Sequence, residues 1–260
     1  MSVDVYFFPT MNGRKVTIAL EEMGIDYVLK RVDVRNGQQF TPEFLSISPN
    51  NKIPAIVDDE GEGGSIVDHD GPDGRALTMF ESGAILQYLG RKSGLFYPAD
   101  ERARCAVDQW LMWQMSGLGP MTGQVAHFKV YAPLLTDDPG QLAYSRKRYH
   151  DEVNRLHGIL DRRLSDVEYV AGAYSIADMA IWPWLDSLAF LGHDMNAFPA
   201  MKRWYEMVGA RPPVQRGWAA GKGMAEDTIL LSEEERRAST RMLFGQTAQS
   251  AHTHRASSSG

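Results

Sequence analysis

The strongest constraint on the fold is a change of texture near residue 92. Before it, short β-branched and aromatic runs alternate with helical spacing; after it, helical spacing runs alone. Val3-Asp4-Val5-Tyr6-Phe7-Phe8 has the composition of a buried strand and is stopped by Pro9. Lys15 to Met23 places Val16, Ile18, Ala19, Leu20 and Met23 at helical spacing, with Gly24 as the stop. Tyr27 to Val34 reads as a second strand and Pro42 to Ile47 as a short helical turn with Pro42 at its start. Pro54 to Val57 and Ala76 to Met79 read as strands three and four, and Ser82 to Lys92 as a helix with Ile85, Leu86 and Leu89 on one face. A strand-helix-strand opening implies a parallel pair with a right-handed crossover. The two later strands are close enough for a hairpin, so the order predicts an α/β sandwich of the thioredoxin type.

Residues 93–100 form a linker with Gly94 and Pro98. Beyond it, Glu101 to Met115 is helical, with Ala106, Trp110, Leu111 and Trp113 inward, and Gly117-Leu118-Gly119-Pro120 is expected to break or kink it. Gln141 to Leu164 is a long helix, Ser175 to Leu188 is apolar enough to be buried, and Pro199 to Val208 is ended by Arg211-Pro212-Pro213. Ser175 and Asp178 are spaced as a capping box, with Tyr174 and Met179 placed as its hydrophobic staple; this is a folding device. No strand signal interrupts this half, which is therefore expected to be all-helical. Ser232 to Leu243 reads as one more amphipathic helix and Gln246 to Gly260 as a polar, disordered tail. The domain reading is 1–92, 101–217 and an extension over 218–260.

Composition narrows the partners. Of the 260 residues 43% are hydrophobic, enough for real cores, and the net charge of -6 argues against a nucleic-acid partner, which would want a clustered basic surface. No apolar run is long enough for a membrane span, and no signal peptide is evident. The lone Cys105 cannot form an internal disulfide, which fits a reducing cytoplasm.

Three segments carry chemistry. Ile53-Pro54 opens the third strand. The common form there is a trans bond; a cis bond would turn the N–H and C=O of Ile53 outward, where they could pair with an extended peptide. Glu81-Ser82 opens a helix. Ser82 is expected at the N-cap, where its hydroxyl and the free N–H groups beyond it suit a carboxylate, and Glu81 suits an ammonium. As a plain alternative, the pair is a cap with a solvated glutamate. Pro9-Thr10-Met11-Asn12-Gly13 sits where a redox dithiol fold would carry its cysteines. Thr10 and Asn12 instead offer a hydroxyl and an amide, both able to donate to an anion; the plain alternative is a turn at Asn12-Gly13. A thiol of pKa roughly 8.5 needs only ~2.7 kcal/mol to move down by about 2 units, which such donors and a helix terminus can supply.

Taken in order, the Thr10/Asn12 turn, Asn50 to Asp58, Phe80 to Ile85, Trp110 to Met115 with Gly117 to Met121, and Tyr174 to Trp184 closely resemble the cytosolic glutathione transferases, and within them the bacterial Nu class of glutathione-dependent disulfide-bond oxidoreductases. The resemblance covers about Val3 to Gly217. It implies a thioredoxin-like domain, a helical domain, a homodimer, and glutathione, one or two per subunit, with no metal. It places Thr10 and Asn12 at the glutathione sulfur, Lys52 near the glycine carboxylate, Ile53 and Pro54 along the cysteinyl backbone, and Glu81 and Ser82 at the γ-glutamyl head. Gln39 matches a glutathione-contacting glutamine, and Arg148 an arginine that reaches the peptide across the dimer interface. Trp110, Trp113, Met115, Phe128, Tyr131, Trp182 and Trp184 are candidates for the pocket between the domains, Phe128 and Tyr131 foremost because their segment is less periodic. The sequence departs from the family pattern in a longer acidic loop over 59–75, read as solvated rather than as a Ca²⁺ site.

The expected enzyme uses the thiolate of bound glutathione to reduce disulfides, to attack a small hydrophobic substrate, or to remove glutathione from a thioether. The alternative from another class is a non-catalytic domain of this fold used for dimerisation or scaffolding.

Overall fold

The computed structural model describes residues 2–59, 76–138, 140–224 and 232–247. Strand β1 (Val3–Phe7) leads through α1 (Met11–Met23) to β2 (Tyr27–Arg31), which pairs with β1 in parallel. After α2 (Pro42–Ile47), β3 (Ala55–Asp58) lies antiparallel to β1 on its other side, and β4 (Leu77–Phe80) pairs antiparallel with β3, giving the order β2-β1-β3-β4. Helix α3 (Ser82–Ser93) closes this half. The thioredoxin-type sandwich is the one the strand order predicts. The acidic loop beyond Asp59 and the tail from residue 248 lie outside the described residues.

Helix α1 begins four residues earlier than its apolar spacing suggests. Thr10 caps it, its Oγ1 accepting from the Gly13 N–H at 3.2 Å, so Asn12-Gly13 is the first turn of a helix and not a free turn. Glycine is needed there because a Cβ at residue 13 would lie 2.5 Å from the Phe8 carbonyl oxygen and 2.8 Å from the Phe7 ring.

The second half is helical: α4 (Glu101–Trp113), α5 (Gly119–Ala126), α6 (Gly140–Asp166), α7 (Ile176–Ile181), α8 (Leu188–Leu191), α9 (Pro199–Gly209), α10 (Pro212–Ala219) and α11 (Glu233–Phe244). Of the break or kink expected at 117–120, no break occurs: α4 is interrupted by a π turn over Gln114–Leu118 and the backbone stays helical into α5. A wider turn just ahead of Pro120 accommodates a ring that would collide with the preceding turn of a regular helix. Pro212 likewise starts α10 rather than only ending α9. The predicted capping box is present at Ser175–Asp178, and the Asp178 carboxylate also accepts from Val170 N–H and Trp204 Nε1.

One core joins the halves. Val5, Phe7, Ile18 and Leu20 belong to the same buried cluster as Leu111, Leu160, Ile181 and Trp204. Helix α10 seats on α1, where a Cβ at Gly217 would meet Ile18 Cα at 2.5 Å and Thr17 Oγ1 donates to the Gly217 carbonyl at 2.7 Å. Among the described residues no helix is long and apolar enough to cross a membrane.

Candidate functional site

Two connected cavities open where α1, the turn before β3 and the start of α3 face α5. The smaller, about 430 Å³, is lined by Asn12, Asn50, Lys52, Ile53, Pro54, Phe80, Glu81, Ser82 and Pro120. The larger, about 670 Å³, shares Asn12, Lys52, Glu81 and Pro120 with it and continues along Lys15, Gln114, Met115, Gly119, Gly123, Gln124, His127, Trp184 and Phe244.

Local backbone geometry builds the first. The Ile53-Pro54 bond is cis, not the commoner trans, and among the described residues the N–H and C=O of Ile53 make no hydrogen bond. An unpaired donor and acceptor on one residue form a short edge on which an extended peptide can lie. Glu81 takes φ 69°, ψ 111°, a conformation that is costly for a residue with a side chain. Glu81 is therefore the N-cap of α3, and Ser82, expected there, is the first helical residue. The Ser82 hydroxyl is buried and accepts from Lys15 Nζ at 3.4 Å. The opening amides of α3 follow directly on it and have no partner within the helix. Lys52 is exposed at the mouth, its carbonyl held by Ser48 Oγ at 2.9 Å.

Other expected residues lie elsewhere. Thr10 uses its oxygen lone pair as the α1 cap, donates its hydroxyl proton to no acceptor among the described residues, and is not a lining residue of either cavity; Asn12 lines both. Gln39 is buried away from the lining, its Nε2 donating to the Val34 carbonyl at 2.9 Å while its Oε1 has no partner. Arg148 is exposed on α6, 3.6 Å from Glu152. Phe128 and Tyr131 are not among the lining residues. Phe128 stacks on Tyr149, with centroids 5.4 Å apart, and Tyr131 packs against Phe244 at 4.8 Å. Trp110 and Trp113 pack on each other at 5.2 Å, and Trp182 stacks on Tyr205; of the candidates, Met115 and Trp184 reach the cavity.

The rest of the helical wall comes from residues outside the expected pocket set. Gln114, on the π turn, is fully buried: its Oε1 accepts from Lys15 Nζ at 2.5 Å and its Nε2 has no partner. Gly119 leaves room for it, since a Cβ there would lie 2.6 Å from that Nε2. Trp184 Nε1 and His127 Nδ1 are also buried and unpartnered, so three polar nitrogens of this wall lack protein partners. Burial holds His127 below its ordinary pKa, so it is neutral at pH 7. Lys15, 1% exposed, closes the floor; burial pushes it down to about 7 against the opposing pull of Glu81. A lysine within the amphipathic helix α1 gives no sign in sequence that its end is buried.

The last wall comes from beyond the predicted helical domain. Phe244 of α11 lies 4.6 Å from the His127 ring, Asn51 Nδ2 donates to Gln246 Oε1 at 2.9 Å, and Arg237 donates to the Leu134 carbonyl at 3.1 Å. The extension thus bridges both halves across the cavity. Cys105 lies exposed on α4 beside Glu101 and is not a lining residue.

Comparison with known proteins agrees with this architecture. Residues 12–92 match the family model described as Glutathione S-transferase, N-terminal domain, and residues 125–212 that described as Glutathione S-transferase, C-terminal domain. The chain is 46% identical over 211 residues to the disulfide-bond oxidoreductase YfcG of Escherichia coli K12, covering 81% of this chain and 91% of the relative. It is 36% identical to the disulfide-bond oxidoreductase YghU of the same strain, covering 83% and 73%. Among solved structures it is similar to a glutathione transferase family member from Pseudomonas fluorescens Pf-5 with two glutathione bound (TM-score 0.72, 42% identity, 83% and 92% covered). It is also similar to a glutathione transferase from Pseudomonas putida with one glutathione disulfide per subunit (TM-score 0.72, 41% identity, 84% and 91% covered).

Proposed function

The chain belongs to the glutathione S-transferase family, and from that premise we propose that it is a glutathione-dependent disulfide reductase whose nucleophile is the thiolate of bound glutathione. The observation that carries this reading is the convergence of Asn12, Lys52, Ile53, Glu81 and Ser82 on one groove that opens into a second cavity. Glutathione would lie extended along Ile53-Pro54, its glycine carboxylate toward Lys52 and its γ-glutamyl head at Glu81 and the α3 amides. Its sulfur would lie at Asn12, with Thr10 contributing its hydroxyl proton. Gln39 would act by holding the loop after β2.

The reaction then needs no protein cysteine. The bound thiolate attacks one sulfur of a disulfide, and the other sulfur leaves as a thiolate and takes up a proton; a second glutathione, as its thiolate, then attacks the glutathione sulfur of the mixed disulfide, whose S–S bond breaks, giving glutathione disulfide and releasing the substrate's remaining sulfur as a second thiol. The 670 Å³ cavity suits that second molecule in volume, and the unpartnered nitrogens of Gln114, Trp184 and His127 suit an acceptor-rich one. The relatives named disulfide-bond oxidoreductases support the same chemistry. The domains are taken as 1–92 and 101–217, with an extension from 218. A cytoplasmic homodimer is part of the reading. Tyr144 is 78% exposed one turn from Arg148 on α6, an apolar and cationic face that fits a partner subunit.

The test is calorimetry with glutathione followed by turnover of 2-hydroxyethyl disulfide. Binding with turnover is expected. Absence of both at millimolar glutathione would defeat the reading, and turnover of a glutathione thioether alone would reassign the reaction while keeping the site.

A further inference from the structure

Lys15 follows Asn12 by three residues on α1, so the two share a helix face, and both line the larger cavity. Its Nζ is firmly held only by Gln114 Oε1, at 2.5 Å. The contact to Ser82 Oγ is long at 3.4 Å, and that to Met115 Sδ, at 3.3 Å, is to a thioether, a weak acceptor. One donor is fixed and two are loosely engaged. Among the described residues Lys15 forms no ion pair, although it is 1% exposed. Glu81, exposed on the same lining, pulls on it from beyond ion-pair distance, and a buried cation with no closer counter-charge is costly unless a ligand brings one.

The other titratable groups lining this cavity are few. Lys52 and Glu81 come from the N-terminal wall and His127, neutral through burial, from α5's continuation; the π turn contributes Gln114 and Met115, neither charged. Lys15 is thus the one buried cation among the described lining residues.

We propose that Lys15 is the charge that ionises the bound thiol: its ammonium, anchored by Gln114 at the cavity floor, holds the glutathione sulfur as a thiolate beside Asn12. This rests on the glutathione reading above. Burial pushes Lys15 down to about 7, which brings its amine form within reach near neutrality. That amine takes the thiol proton directly. The S–H bond breaks, its electron pair stays on sulfur, the proton forms a new N–H bond on Nζ, and nothing is oxidised or reduced. The ammonium and thiolate so produced compensate each other, where either charge alone would be buried without a close partner.

The experiment titrates the thiol of glutathione bound to the full chain by the ultraviolet absorbance of the thiolate, in wild type and Lys15→Met, with S-methylglutathione as the ligand lacking an ionisable sulfur. In Lys15→Met the bound thiol pKa is expected to rise by about one unit or more, leaving about tenfold less thiolate at neutral pH. Turnover should fall with it and recover at alkaline pH, while S-methylglutathione binds as it does to wild type. An unmoved thiol pKa would overturn the proposal. So would an equal loss of S-methylglutathione affinity, which would make Lys15 only a strut between α1 and the π turn. Should Lys15→Met not fold, Lys15→Gln, which keeps a polar end for Gln114, decides on the same criterion. Wild-type protein that binds neither ligand would defeat the glutathione reading itself, whereas binding of both with an unmoved thiol defeats the role of Lys15 alone.

Discussion

The two walls of the cleft are built in opposite ways. On the N-terminal wall the functional groups are set by backbone: the cis bond at Pro54, the positive φ of Glu81 and the cap at Thr10 each fix one short segment. On the helical wall they are set by packing: Gln114, His127, Trp184 and Phe244 reach one cavity from the π turns, the turn after α7 and α11, and only a glycine at 119 lets the Gln114 amide lie where it does. Backbone devices leave a local signature in sequence. A wall assembled from four separated elements does not.

The largest expected effect tests the first wall. Asn12→Ala removes the amide of the one lining residue common to both cavities at the start of α1, and loss of a single donor to a reacting anion costs on the order of 10²-fold in turnover. Cys105→Ser should stay within about a factor of two, because exposed substitutions away from such features change energies by about 0.5 kcal/mol or less. Steady-state turnover of both variants checks the pair, and comparable losses would mean that the nucleophile is not borrowed.

Acid sharpens the contrast, because it acts on the helical half away from the cleft. His157 is fully buried and His193 nearly so, with both ring nitrogens of each unpartnered and the rings 5.0 Å apart. Burial pushes His157 down to about 3 and His193 down to about 4. The unfolded chain, with histidines near 6.5, takes up these protons first as pH falls. Stability is therefore whole above about 6.5 and is lost on acidification toward those lower values, by about 2 kcal/mol at pH 5 for His157 alone. Thermal melts from pH 7 to 5 should show the loss, and His157→Phe should reduce it. An unchanged pH dependence in that variant would place the acid sensitivity elsewhere.

Gly119→Ala probes the helical wall. The added Cβ would lie 2.6 Å from Gln114 Nε2 and 3.2 Å from the Gln114 carbonyl oxygen, so the amide that anchors Lys15 must shift. A displaced anchor is expected to lower turnover about tenfold, corresponding to roughly 1.4 kcal/mol, with S-methylglutathione affinity unchanged. Loss of that affinity would show the two walls to be coupled rather than separate.

How much of this was legible follows from the same contrast. The strand order and the capping box at Ser175 and Asp178 are readable because each rests on a period or a turn within a few residues; that Asn12, Lys52, Ile53, Glu81 and Ser82 are neighbours is implied only by the resemblance to the glutathione transferases, since no local pattern joins such distant segments. Apolar spacing misses the start of α1 because its first turn is specified by the Thr10 cap. The irregular periodicity around Phe128 and Tyr131 reflects the π turn over His127–Tyr131, and it is His127 that lines the larger cavity. Lys15 and Gln114 carry no local signal of their place in the cavity, since burial of a polar end is a tertiary fact.

The smallest effect concerns Phe244, which no motif marked. It is 45% exposed, yet it lines the cavity and packs on His127 and Tyr131. Its helix lies beyond residue 212, where the second family model stops. Truncating a half-buried ring removes about 1 kcal/mol of apolar contact, or roughly a fivefold change in a binding constant. Phe244→Ala should therefore raise KM for a disulfide by about that factor, leaving kcat and the affinity for the glutathione held along Ile53-Pro54 near wild type, because the residue does not line the groove at Ile53. A larger fall in kcat than rise in KM would mean that α11 positions the reacting groups. The helical wall would then need its C-terminal extension for chemistry as well as for fit.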